Sequence, residues 1–371
     1  MDEAASRDGT RRFRDRVAGS IPPEHFRPGP NGLALSSIGV GTYLGEPDDE
    51  TDAAYGQALV AAVALGTNVL DTAINYRAQR SERVVGMALA ALIEAGELAR
   101  DEVVVCTKGG YLPFDGSYPL DPGKYFHDTY VRPGLLTPAD LVAGSHSLAP
   151  RYLLDQIERS RRNLRLAAID VYYLHNPETQ LTAVDRTTFH TRMTGAFRVL
   201  ERAVEQGKIR YYGVATWNGF RVAADEREYL SLADLVELAE REIGKSHHFR
   251  FVQLPCNLAM PEAFTLRNQR VGDHFGSLVE AADALAITVV ASASLLQGQL
   301  AGRMPDILAQ AMVGLDTDAQ RAIQFVRSTP GITTALVGMR RRAHAEENLA
   351  VARRPPASQE DYLRLFTARE G

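Results

Sequence analysis

The chain has 371 residues but only two cysteines, Cys106 and Cys256. Each lies inside an apolar run, so no disulfide framework is expected and a reducing cytoplasm suits the chain. Neither has neighbours at the spacing that zinc requires, and no HxH or similar clustered ligand set occurs, so no metal is expected. No stretch approaches the roughly 20 apolar residues of a membrane span. The opening MDEAASRDGTRRFRDR lacks the apolar core of a signal peptide. A net charge of -5 offers no field to attract a polyanion. Neither nucleic acid nor membrane is therefore an expected partner. With 45% apolar and 23% charged residues, the composition is that of a globular protein able to bury a large core. These features predict a loosely held polar arm over residues 1–30 and one domain over 31–371.

Eight short β-branched runs are present: LSSIGVGT (35–42), NVLDTA (68–73), EVVVCTK (102–108), IDVYYLH (169–175), IRYYGVAT (209–216), FRFVQLP (249–255), ITVVASA (287–293) and ITTALVG (332–338). Between and after them, stretches such as SERVVGMALAALIEAG and LADLVELAEREIG carry apolar residues at helical spacing, often with a glycine soon after. Eight strands alternating with eight helices predict an α/β fold, a (β/α)8 TIM barrel with a long insertion after strand 3. An open doubly wound sheet is the runner-up. It would usually carry GxGxxG after the first strand, a spacing that GVGTYLG does not have.

A parallel barrel works at the C-terminal ends of its strands. Strands two, three and four end in Asp71, Lys108 and His175, and Tyr76 follows on the loop after Asp71. A phenol is a poor proton donor at neutral pH, but a neighbouring cation stabilises phenolate and lowers its pKa. Lys108 is placed to do this, with Asp71 keeping it charged and His175 hydrogen-bonding the reacting oxygen. Tyr76 would then protonate an alkoxide. Taken singly, each residue has an ordinary explanation: a turn cap, a snorkelling lysine, a core histidine. All four at adjacent strand ends are harder to dismiss.

DTAINY, TKGG and LHNP resemble the elements that carry the tetrad of the aldo-keto reductase superfamily, and the resemblance extends from about Leu35 to Ala352. It implies NADPH bound across the C-terminal face, and reversible reduction of aldehydes or ketones with Tyr76 as general acid. By the same resemblance Gln253 contacts the nicotinamide, and Ala293, Leu295, Gln297 and Gly298 line the pyrophosphate. Thr42, Thr216, Gly338 and His344 complete the cofactor face, with Arg340 and Arg341 near the 2′-phosphate and Glu347 and Asn348 at the adenine. Tyr43, Asn176 and Trp217 are the expected substrate contacts, for a small carbonyl or alcohol. Several positions depart from the family pattern. GVATWN replaces GVSN, leaving Asn218 as a candidate carboxamide partner, and His344 stands where arginine is usual. Ser292 stands where an aromatic is common. NADH is accordingly the alternative cofactor.

Two segments exceed the needs of the barrel. Residues 109–150 are rich in aromatics and are expected to be ordered, either as a lid shaping specificity or as a surface or oligomer pad. Residues 218–250 read as an extended fifth helix. The C-terminal PPASQEDYLRLFTAREG suggests a proline break and a short amphipathic helix. Beside the reductase stand two other functions, a nucleotide-binding regulatory subunit with the same barrel and a metal-dependent hydrolase using Asp71 and His175.

Overall fold

The computed structural model describes residues 4–302, 312 and 314–367. Eight parallel strands close into a barrel in chain order: β1 (Ile38–Gly41), β2 (Val69–Asp71), β3 (Val104–Gly109), β4 (Ile169–His175), β5 (Ile209–Ala215), β6 (Phe249–Pro255), β7 (Thr288–Ser292) and β8 (Ile332–Gly338), with β8 against β1. Around it run α1 (Asp49–Ala64), α2 (Arg80–Glu94), α3 (Pro150–Leu164), α4 (Arg186–Glu205), α5 (Leu232–Ile243), α6 (Leu278–Ala284), α7 (Asp318–Ser328) and α8 (Arg342–Leu349). The (β/α)8 fold and the insertion after β3 are as the sequence predicts.

The helices begin where side chains can satisfy their first amides. Asp48 accepts from Thr51 at 2.7 Å, Asp185 from Thr188 at 2.7 Å, and Ser277 forms a reciprocal capping box with Glu280. In α5 the buried residues are Leu232, Leu235, Val236 and Ala239, the spacing of a one-sided apolar stripe.

Alternation along the strands determines what enters the barrel interior. Val69, Val104, Cys106, Val171, Tyr173, Tyr211, Phe251, Val290 and Leu336 pack there as one buried cluster. Stepping upward by two from these positions reaches Asp71, Lys108, His175, Gln253, Ser292 and Gly338, and two such steps from Tyr211 reach Ala215. The period that fills the core thus also turns these residues into the mouth.

The floor is closed by the N-terminal arm, which is tied down rather than loose. Its helix, Arg7–Val17, buries Phe13, and Arg12 and Arg16 pair with Asp101 at 2.6 Å and Glu102 at 3.0 Å. The Ala5 amide donates to Asp170 at 2.6 Å. Residues 1–3 lie outside the described ones.

The insertion packs outside the barrel. Tyr130 is fully buried, stacks edge-on against Tyr152 of α3 at 5.6 Å, and donates to the Pro113 carbonyl at 2.8 Å. Residues 218–231 form a turn-rich loop in place of the expected helix extension. It is fastened by Asn268, whose amide donates to the carbonyls of Phe220 and Val222 at 2.9 and 2.7 Å. The expected C-terminal helix spans Gln359–Thr367 and buries Tyr362 against Phe325 and Phe264. The last four residues fall outside the described ones.

Candidate active site

Strand register places Lys108 level with Tyr173, two residues higher than Cys106, the partner of Asp71. The long lysine side chain spans that offset. Its ammonium makes a buried ion pair with one Asp71 oxygen and donates to the Thr72 carbonyl at 2.9 Å. The other Asp71 oxygen accepts from the Gln253 amide at 2.8 Å. The same ammonium lies 5.1 Å from the centroid of the Tyr76 ring. Tyr76 meets His175 edge-on at 5.8 Å and Tyr43 at 5.0 Å. The four residues read from strand ends and the loop after β2 are therefore assembled at one point.

Burial dominates the electrostatics here. It works against the Lys108 charge, but Asp71 and Tyr76 outweigh it and raise the ammonium pKa. It also pushes the Asp71 carboxyl up, with Lys108 and Gln253 opposing. His175 is driven well below the usual histidine range by burial, with Lys108 and His146 adding to the effect, so its imidazole is neutral. The Tyr76 phenol is raised by burial more than Lys108 lowers it. The expectation of a depressed phenol pKa therefore fails, because the sequence shows the cation but not the desolvation.

Above this cluster opens a cavity of about 900 Å³ that runs from Tyr76 to α8. Tyr43, Asn176 and Trp217 line it. So do Thr42, Thr216, Gln253, Ala293, Leu295, Gln297, Gly298, Gly338, Arg340, His344, Glu347 and Asn348. Arg341 does not: it precedes α8 as an exposed residue outside the cavity. Asn218 is also turned away, bonded to Glu228 at 2.9 Å. Among the described residues, no three His, Cys, Asp or Glu side chains are grouped to hold a metal ion, and no helix is long and apolar enough to cross a membrane.

The model of the aldo/keto reductase family matches residues 37–232, more than half of the chain. The chain belongs to the aldo/keto reductase family. Members of this family are NAD(P)H-dependent oxidoreductases. Among curated relatives, the 6-dehydroglucose reductase of Novosphingobium aromaticivorans is 28% identical over 210 residues, a match spanning 55% of each protein. An aldo/keto reductase from Klebsiella pneumoniae solved with NADP and acetate has a similar fold, with TM-score 0.61, 21% identity, and coverage of 92% of this chain and 94% of that one. The glycerol dehydrogenase of Gluconobacter oxydans gives TM-score 0.63, 18% identity, and coverage of 94% and 95%.

This family member has site residues that pattern reading missed. Leu44, Tyr55, Asn75 and Tyr111 also line the cavity. Tyr111 is the one residue of the insertion there, so the insertion supplies a wall and not a lid. Its ring meets His175 at 5.1 Å. Asn75 lies beside Tyr76 in the DTAINY stretch, which carries Asp71 and Tyr76 of the tetrad.

Proposed function

We propose that this chain is an NADPH-dependent oxidoreductase that reduces an aldehyde or ketone to an alcohol, reversibly, with Tyr76 as the general acid. The observation that carries this reading is the buried Asp71–Lys108 pair directly beneath the Tyr76 ring, with a neutral His175 alongside. The cavity fits the dinucleotide: the hydroxyls of Thr216 and Ser294 are buried on it without partners. A Cβ at Gly298 or Gly338 would project into open space. Ala293, Leu296 and Gln297 adopt left-handed backbone, which turns neighbouring amides toward an anion. Thr42, Thr216, Gln253, the 293–298 turn, Gly338, Arg340, His344, Glu347 and Asn348 would hold NADPH, which when bound supplies the hydride. NADH is the weaker alternative.

His175, kept neutral, donates a hydrogen bond that orients the substrate carbonyl. Tyr76 passes its proton to the forming alkoxide, Lys108 stabilises the phenolate left behind, and Asp71 holds Lys108 charged. The reverse sequence serves alcohol oxidation. Tyr43, Leu44, Asn75, Tyr111, Asn176 and Trp217 form an uncharged, aromatic-rich wall. Together with a relative named for 6-dehydroglucose, this supports a neutral, hydroxylated carbonyl substrate. We further assign the activity to a single domain from residue 31 onward. Both cysteines are buried and free, which suits the cytoplasm.

The test is fluorescence titration with NADPH and NADH, together with turnover on a panel of carbonyl substrates, for the wild type and Tyr76→Phe. Tight NADPH binding by both, with turnover lost in the variant, is expected. Binding without turnover in the wild type would favour the regulatory-subunit reading, and no binding would overturn both.

A further inference from the structure

We propose that His146 is a positioning residue for His175, and that the insertion folds back to β4 to deliver it. The inference rests on the reading of His175 as the group that orients the substrate carbonyl.

His146 lies on the returning arm of the insertion, where it bridges to Tyr111 on the outgoing arm. It is completely buried and does not line the cavity. Its Nε2 lies 2.7 Å from the backbone carbonyl oxygen of His175. Its Nδ1 lies 2.7 Å from the side-chain amide of Gln180, whose oxygen accepts in turn from Arg192. That chain fixes every proton. Arg192 can only donate, so the Gln180 oxygen faces it and the Gln180 nitrogen faces His146. Nδ1 therefore accepts, and Nε2 carries the proton given to the His175 carbonyl. Burial lowers the His146 pKa to about 4, which keeps this neutral tautomer in place at neutral pH.

His175 needs such support. Its own Nδ1 is buried without a hydrogen-bond partner among the described residues, so no acceptor there fixes the ring from behind. Its orientation is set by its backbone, which His146 holds, and by edge-on packing against Tyr76 and Tyr111. Tyr111 packs equally on His146, at 4.9 Å. Gly110 makes the approach possible. Its φ is +139°, and a Cβ there would lie 3.0 Å from His146 Nε2 and 3.1 Å from the His175 carbonyl oxygen.

The experiment compares His146→Phe, which keeps a ring against Tyr111 but loses the donor, with His146→Gln, which keeps a donor near the Nε2 position. Thermal stability, kcat and KM on 4-nitrobenzaldehyde and glyceraldehyde, and imidazole ¹H–¹⁵N spectra of histidine-labelled protein are recorded. Expected in His146→Phe is a fall in kcat of roughly 10- to 100-fold with KM changed far less, a shifted His175 imidazole signal, and recovery of both in His146→Gln. Gly110→Ala, which wedges the same contact apart, should reproduce the loss if the phenylalanine variant folds poorly. A His146→Phe protein that is less stable but has wild-type kcat and an unshifted His175 signal would overturn the proposal. If the wild type reduces neither aldehyde, the reductase reading fails on its own account, and the imidazole spectra still decide whether His146 positions His175.

Discussion

Asp71 accepts two donors at once, an ammonium 37 residues further along the chain and an amide 182 residues further along. The first partner is legible in the sequence, because alternation carries Asp71 and Lys108 to the same face of adjacent strands. The second is not, since β2 and β6 meet across the interior only once the barrel closes. The pair is also unequal to its parts. Asp71→Asn would leave the Lys108 ammonium buried without a countercharge, and removing one member of a buried ion pair typically costs about 3–5 kcal/mol. We expect a loss of that size in urea denaturation at pH 7, accompanied by a fall in kcat as Lys108 is driven toward its neutral form. A variant as stable as the wild type would show that Lys108 finds another counterion. Tyr76 teaches a related lesson: its neighbours were readable, but its desolvation was not.

At the scale of elements, the short 3-10 stretch Pro177–Thr182 after β4 carries Glu178, which belongs to none of the strand-end motifs. One of its oxygens accepts from the successive amides of Trp217, Asn218 and Gly219 at 2.6, 3.0 and 3.4 Å, while the other is buried without a partner. Burial raises the carboxyl from 4.5 to about 7, outweighing the three donors. The folded form therefore holds this proton more tightly than the unfolded chain does. Its stabilising contribution is complete below about pH 4.5 and is lost as pH rises through about 7. Trp217, the only tryptophan, reports on this loop. Its fluorescence should titrate with a midpoint near pH 7 in the wild type and stay flat in Glu178→Gln. The fall in melting temperature between pH 5 and 8 should also shrink in that variant. An unchanged titration in Glu178→Gln would assign the transition to another group. The strands and helices were legible because their apolar periods are strong. Residues 218–231 were misread because a charged, turn-rich loop and a solvated helix extension look alike until long-range bonds such as those from Asn268 are seen.

Over the whole molecule, the two ends of the barrel do different work. The mouth gathers the titratable groups; the floor is closed by the N-terminal arm. The sequence holds little sign of that docking, because the arm's helix is polar on most positions and is held by ion pairs to residues 101 and 102 and by only two apolar side chains, Phe13 and the half-buried Val17. Phe13→Ala is expected to cost about 3–5 kcal/mol, as for other fully buried phenylalanines, with kcat of the folded fraction unchanged because the site lies at the opposite end. Parallel urea denaturation and activity measurements would check this. A large fall in kcat at full folding would mean that the floor and the mouth are coupled.

The stem of the insertion has one more consequence. The Leu112 amide bonds the Ser145 carbonyl at 2.8 Å and the Ser147 amide bonds the Gly110 carbonyl at 2.9 Å. Two points far apart along the chain are thus clasped at the rim. The segment between them meets the cavity only through Tyr111 at its base, and it is seated on the outside of the barrel by the buried Tyr130 against Tyr152 and by the Gln79 amide, which donates to the Phe114 carbonyl at 2.8 Å. Between those seats its length and composition are free to drift from one descendant of this barrel to another without disturbing the chemistry beneath, provided that the clasp is kept together with Tyr111 and His146 inside it.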